Sequence, residues 1–365
     1  MIRISLLSVF LTAALAVPAG AQSAATPPPD APVTAAAPTI VVSPEEAARA
    51  ASRAGRWADA LILWKTLSDA RPNDPNVTAE FGWAQMEAGD ADDARRTFNR
   101  ALRLDPANAR AVAGRVALAI RALNPAEAVR IAEGAVKTSP DSAAAWRTLG
   151  DARRAASLRS EAEDAYRRAV QLDPNDAASH AGLAAALLTR NKASEALREY
   201  RAAARLEQGA GTYDEGMARA AMAAGQYGAA ALGYARAMER SLASGHADWQ
   251  SLDALAQSAM DALGRASTGL RDGSASREDV TEANTTILRV TDAIAALPEI
   301  ENADITTNPA MAQRALAYDL MGQAAASDLA ALRKGTTSEA SDAFVFREQA
   351  RRALISARAA GAPSP

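Results

Sequence analysis

The chain has 365 residues, 40 lysines and arginines against 43 aspartates and glutamates for a formal net charge of -3, and no cysteine. So balanced a charge gives no global case for a polynucleotide partner, which needs clustered cations to displace phosphate counterions. The missing cysteines exclude disulfides, thiolate metal sites, a cysteine nucleophile and a lipid-modified cysteine, while alanine-rich composition with few aromatics favours close-packed helices and no sheet.

Met1 to Arg3 form a charged start, Ile4 to Val17 an apolar stretch, and Ala19-Gly20-Ala21 a small-x-small site. Together they predict a secretory signal peptide over 1–21, with a mature chain starting at Gln22 and a periplasmic or secreted body. The alternative, an uncleaved anchor, meets an apolar stretch shorter than the roughly 20 residues that span a bilayer. Residues 22–42 are alanine, proline and threonine, with Pro27, Pro28, Pro29, Pro32 and Pro38; this composition predicts a disordered tether with nothing to bury.

Ser43-Pro44-Glu45-Glu46 opens the folded part as a capping box with proline in the first helical turn. From here six alanines recur at intervals of 34: Ala60, Ala94, Ala128, Ala162, Ala196 and Ala230. Repeats over 41–74, 75–108, 109–142, 143–176, 177–210 and 211–244 follow from that beat. Position 8 of this frame is Ala48, Gly82, Val116, Gly150, Ala184 and Ala218, mostly small, where two helices of a hairpin approach closely. Position 24 is Trp64, Phe98, Ala132, Tyr166, Tyr200 and Tyr234, a large residue filling the space between successive hairpins in every repeat but the third. Gly55, Gly89, Gly225 and Asn191 mark the turn between the two helices, because they accept left-handed backbone cheaply. Pro72, Pro106, Pro140 and Pro174 end the second helix on the same beat. The third repeat turns instead through Leu123-Asn124-Pro125 and, lacking its aromatic, is expected to pack more loosely; the fifth and sixth end in Gln208 and Leu242.

The joint phase of Trp146, Leu149, Gly150, Ala162, Tyr166, Ala169 and Pro174 resembles the tetratricopeptide repeat family. The resemblance covers about 43–242 and implies an all-α fold: a right-handed α-solenoid of about six helix hairpins, each burying its apolar face against its neighbours, followed by a C-terminal helical cap. From Gly245 the beat is lost but helices continue, roughly over 247–265, 276–297, 309–333 and 338–359. Val280, Ile287, Val290 and Ile294 recur at helical spacing and point to amphipathic packing, either as a cap or as degenerate repeats.

Catalytic signals are absent from the sequence. His180 falls at repeat position 4, where the family often has tryptophan, and reads as a packed structural imidazole; His246 reads as an exposed residue at a helix start. No phosphate loop, nucleophile elbow or zinc-binding helix motif is present. The pair Gly209 and Gly211 lacks the third glycine and preceding strand of a dinucleotide fingerprint, and Asp92-Asp93 sits where it complements a helix dipole. No enzyme activity, cofactor or metal site is expected.

Function should therefore lie in the surface that the repeats build. In the family, helix A positions 2, 5, 9, 12 and 13 line the concave side. Projected here, the resemblance implies a partner-binding groove of Arg49, Arg53, Trp83, Met86, Arg110, Ile120, Arg121, Arg147, Arg154, Arg219 and Met222, mildly basic and suited to a protein or peptide with acidic and apolar side chains or a terminal carboxylate. The alternative is a solvated face laced with salt bridges along helix A, such as Arg147 with Asp151. The implied role is a periplasmic scaffold or adaptor for protein–protein interaction in a cell-envelope assembly (pilus, secretion, cell wall or outer-membrane biogenesis), with an accessory role in exopolysaccharide or cellulose synthesis and export as the alternative.

Overall fold

Local capping chemistry starts the helices where the sequence places them. In the computed structural model, which describes residues 43–207, 212–243, 248–272, 275–335 and 338–361, Asp74 accepts hydrogen bonds from the backbone N–H groups of Asn76 and Val77. Asn108, Asn124 and Ser142 cap their helices in the same way through the N–H three residues on, satisfying donors that a helix start leaves free. The signal-peptide and tether expectations, His246, Gln208, Gly209 and Gly211 lie outside the described residues.

Six hairpins result. Their A helices are α1 (Pro44–Arg53), α3 (Pro75–Glu87), α5 (Ala109–Arg121), α7 (Ala143–Ala155), α9 (Ala177–Thr189) and α11 (Thr212–Ala223). Their B helices are α2 (Trp57–Ala70), α4 (Ala91–Leu104), α6 (Pro125–Thr138), α8 (Arg159–Leu172), α10 (Ala193–Leu206) and α12 (Tyr227–Ala243). Among the described residues there is no strand. Pro72, Pro106, Pro140 and Pro174 each fall two residues after a B helix ends, as a residue unable to continue the helix should. Leu242 imposes no such stop, and α12 runs to 17 residues where α10 has 14.

The A-to-B turn uses one left-handed residue in every repeat. Gly55, Gly89, Asn191 and Gly225 have φ of 67°, 97°, 58° and 76°, and the same register position holds Leu123 at 55° and Ser157 at 60°. The Leu123 side chain gains nothing in exchange, since it is 89% exposed.

Between repeats the core is a stack of rings against glycines. Phe98 is wedged between Gly82 of its own hairpin and Gly114 of the next, where an added Cβ would lie 2.7 and 2.2 Å from the ring. Tyr166 sits likewise between Gly150 and Gly182, and Tyr200 against Gly216. In the third repeat the volumes are exchanged. Ala132 replaces the ring, and the positions in register with the two glycines carry Val116 and Thr148, all three buried. The crevice beside this junction, lined by Ala135, Ala145 and Thr148, holds only about 10 Å³. Larger neighbours thus fill part of the space the ring leaves, while α5 and α6 meet less extensively than α3 and α4 or α7 and α8, in line with the looser packing expected of this hairpin.

From α3 onward each A helix packs on the A helix of the next hairpin, whereas the B helices of the repeats make no comparable contact with one another. The A helices therefore form the tighter, inner wall.

Beyond the repeats, α13 (Trp249–Asp272) and α14 (Arg277–Ala295) both pack on α12 and scarcely on each other. A one-turn α15 (Pro298–Glu301) leads to α16 (Pro309–Lys334), which lies on α14 and forms a long hairpin with α17 (Ser338–Gly361). Buried charges set the register of these helices: Asp253 on α13 accepts from Arg314 and from the Tyr318 hydroxyl, both at 3.0 Å, and Asp328 pairs with Arg347 at 2.5 Å. Removing either partner would strand a buried charge.

Candidate partner-binding face

The A-helix wall carries the arginines that the sequence placed there, but most are neutralised. Arg49 donates to Glu45 at 2.7 Å. Arg110 forks onto both oxygens of Glu80, at 3.1 Å each. Arg121 reaches Glu87 at 2.6 Å, and Arg147 meets the carboxylate of Asp176 at 3.1 and 3.0 Å. The last three pairs tie successive A helices together, Asp176 being the N-cap residue of α9. They correct the within-helix pairing of Arg147 with Asp151: the latter instead accepts the Tyr166 hydroxyl at 2.6 Å, and burial pushes its carboxyl above the usual carboxylate range.

Trp83 is half-buried. Its indole N–H donates to the Arg110 carbonyl at 3.0 Å, the Arg110 guanidinium stacks 4.2 Å from the ring centroid, and its edge meets Phe98. Met86 is buried against Ala94 and Phe98 and belongs to the core more than to an open wall. Ile120 and Met222 are half-buried against the core. Arg53, Arg154 and Arg219 are exposed and have no carboxylate partner among the described residues. Of the residues assigned to the groove, the structure thus brings together Trp83, Met86, Arg110 and Arg121 in one cluster and Arg154 with Arg219 in another, and leaves Arg53 apart.

Each cluster borders a cleft. The first, about 660 Å³ between the second and third repeats, has a floor that includes Met86, Leu118 and Ile131. Its arginines are all engaged: Arg95 with Asp92, Arg115 with Glu127 and Arg121 with Glu87. The second, about 460 Å³, is bordered by Arg154, Ser157, Arg159, Leu188, Tyr200 and Arg219. Sequence reasoning missed Arg159 and Ser157 because they lie outside helix A, and read Tyr200 only as a core plug. The signal available was Arg154 and Arg159 flanking one short turn.

Other titratable groups serve the scaffold. His180 faces Glu199 through Nδ1 at 2.7 Å and the Pro174 carbonyl through Nε2 at 3.0 Å. Trp146, one repeat earlier, donates to the Pro140 carbonyl at 2.7 Å, so His180 repeats a structural contact. Glu163 is buried beneath Arg167, Arg190 and Lys192 at 2.6 to 2.8 Å. Burial alone would raise its carboxyl, but hydrogen bonds from Lys192 and Arg190 hold it below the usual range. Among the described residues no three metal-ligating side chains converge, and no helix is long and apolar enough to cross a membrane.

Tetratricopeptide repeat family models match residues 46–109 and 85–152, the stretch in which the hairpin register, left-handed turns and ring-against-glycine packing begin. The chain is a tetratricopeptide-repeat protein. It is a scaffold of the kind that mediates protein–protein interaction. Similar solved structures include Pseudomonas aeruginosa PilF, 17% identical over 62% of this chain and 95% of its own, with a TM-score of 0.43. MamA from Desulfovibrio magneticus RS-1 is 23% identical over 46% of this chain and 94% of its own, at 0.34. YrrB, described as a tetratricopeptide-repeat protein with an unusual peptide-binding site, is 18% identical over 48% and 91%, at 0.34. No curated protein matches the chain.

Proposed function

We propose that this tetratricopeptide-repeat protein is an exported, non-catalytic adaptor that holds protein components of a bacterial cell-envelope assembly. Export rests on the sequence of residues 1–21, where a charged start, an apolar stretch and Ala19-Gly20-Ala21 have the order of a secretory signal. The adaptor role rests on one observation above the others: the A-helix wall is braced by arginine–carboxylate bridges between successive A helices or their caps, while Arg53, Arg154 and Arg219 have no carboxylate partner among the described residues. Guanidinium groups held on a rigid wall suit recognition of a partner's carboxylates. A polysaccharide partner would call for open aromatic platforms, and the Trp83 ring is covered by Arg110.

The test is cell fractionation with N-terminal sequencing, followed by photocrosslinking from Arg53 and Arg219 in intact cells. A mature chain beginning at Gln22 and crosslinks to envelope proteins are expected. A cytoplasmic chain retaining Met1, or crosslinks to glycan alone, would refute the reading.

A further inference from the structure

Beyond the repeats, helix α17 leaves one face uncovered. Its other face, with Ala343, Arg347, Ala350, Leu354 and Ala357, is buried where the helix packs on α16 and, less extensively, on α13. The outward face carries Phe344, Val345 and Ile355, which are 60%, 47% and 55% exposed within about three helical turns. Exposed apolar side chains scattered singly are ordinary, whereas three on one helix face mark a surface that a partner covers.

The spacing on that face is regular. Val345, Glu348, Arg352, Ile355 and Ala359 follow one another at alternating steps of three and four residues, the a and d positions of a heptad, and so form one seam about 21 Å long. Phe344 flanks it. Glu348 and Arg352 stand one turn apart at the middle, between the two large apolar residues. Arg352 is exposed and has no carboxylate partner among the described residues. Glu348 accepts from Arg351 through Oε1 alone, which leaves Oε2 for a second donor. Arg351 itself is shared between Glu348 and Asp261 of α13 and belongs to the packing of the cap.

Turned about a two-fold axis, this seam complements itself. Against an antiparallel second copy, Val345 of each chain meets Ile355 of the other, and between these apolar layers each Glu348 meets the other copy's Arg352. A parallel pairing would set Glu348 on Glu348 and Arg352 on Arg352. A shift by one heptad would leave both charges facing uncharged residues, so charge selects a single orientation and register. We propose that α17 is a homodimerisation helix, its outward face covered by α17 of a second copy through Val345–Ile355 layers and reciprocal Glu348–Arg352 bridges. The contact is isologous and closes at two chains. One dimer then carries two repeat surfaces, and partners held weakly by each are retained by avidity.

The test is sedimentation equilibrium of the protein purified from its cells. A monomer–dimer equilibrium with a midpoint of about 10–100 µM is expected, the scale of a small and partly polar interface. Glu348→Arg and Arg352→Glu should each weaken self-association at least about tenfold. An equimolar mixture of the two variants should restore it to within about threefold of the parent, because every bridge then again joins opposite charges. Since the chain has no cysteine, Val345→Cys and Ile355→Cys chains can be oxidised apart and together; the mixed disulfide should form at least about fivefold faster than either disulfide between identical chains. A chain that stays monomeric to about 300 µM, single charge variants that associate like the parent, a mixture that fails to recover, or faster crosslinking of Val345→Cys to itself would overturn the proposal. So would a different protein that co-purifies with a monomeric chain and is lost from the Arg352→Glu variant, since that assigns the face to a heterologous partner.

Discussion

Replacing Gly114 by alanine tests the ring-against-glycine core most directly. In mid-helix this change normally stabilises, because glycine is about 1 kcal/mol poorer than alanine in a helix interior. Here the new Cβ would lie 2.2 to 2.7 Å from the Phe98 ring, over 1 Å inside ordinary contact. The ring has no retreat, since Gly82 already touches its other side and Phe98 is fully buried. Overpacking of this kind costs about 1–3 kcal/mol, and with so close an approach the upper part of that range applies, so Gly114→Ala should destabilise by up to about 2 kcal/mol net. In a Phe98→Ala background, itself costing about 3–5 kcal/mol, the same change should become stabilising by about 0.5–1 kcal/mol. Gly134 on α6, with nothing within 4 Å of its would-be Cβ, is the control: Gly134→Ala should stabilise by about 0.5–1 kcal/mol. Urea unfolding of all four variants followed by circular dichroism reads these differences. A destabilising Gly114→Ala that keeps its sign without the Phe98 ring would refute the steric account, as would a stabilising one in the parent chain.

Other expectations follow from single residues. Leu123→Gly relieves a left-handed leucine that is almost wholly exposed; it should stabilise by about 0.5–1 kcal/mol after glycine's own entropy is counted, and an unchanged or lower urea midpoint would contradict this. Glu163→Gln leaves Arg167, Arg190 and Lys192 without their shared anion and should destabilise by about 1–2 kcal/mol at pH 7, a figure reduced because those cations are partly solvated. Its depressed carboxyl stabilises the fold above the unfolded-state value and loses that contribution as pH falls through the folded one, so the difference between parent and variant should shrink in acid denaturation. Asp151 has the opposite sign: burial raises its carboxyl, so its contribution to stability falls as pH rises from the unfolded-state value through the folded one. Asp151→Asn, which can still accept the Tyr166 hydroxyl, should flatten that slope in pH-dependent thermal melts; a steeper slope would exclude the assignment.

Helix positions were legible because proline, glycine and capping residues act through their own backbones. Asn124-Pro125 begins a helix in the structure as in the reading, and the frame restarts at Pro75, Ala109 and Ala143 are the first residues of α3, α5 and α7. Ser157 as a left-handed turn residue was not legible, since serine rarely adopts that conformation and only the hairpin's closure imposes it. Repeat positions put the proposed groove residues on A helices, which is where the structure has them. The charge state of those helices was not legible, because Arg147 chose Asp176, the cap residue of α9, over Asp151 on its own helix.

The 34-residue beat by itself determined the helices, their pairing into hairpins and most of their turns, since each is a short-range consequence of backbone restriction and side-chain size. Which arginines remain available for a partner was decided only by tertiary structure. Pairing depends on distances between repeats, and only stacking brings Arg110 to Glu80, Arg121 to Glu87, and Arg154 to Arg219 and Tyr200 across one cleft.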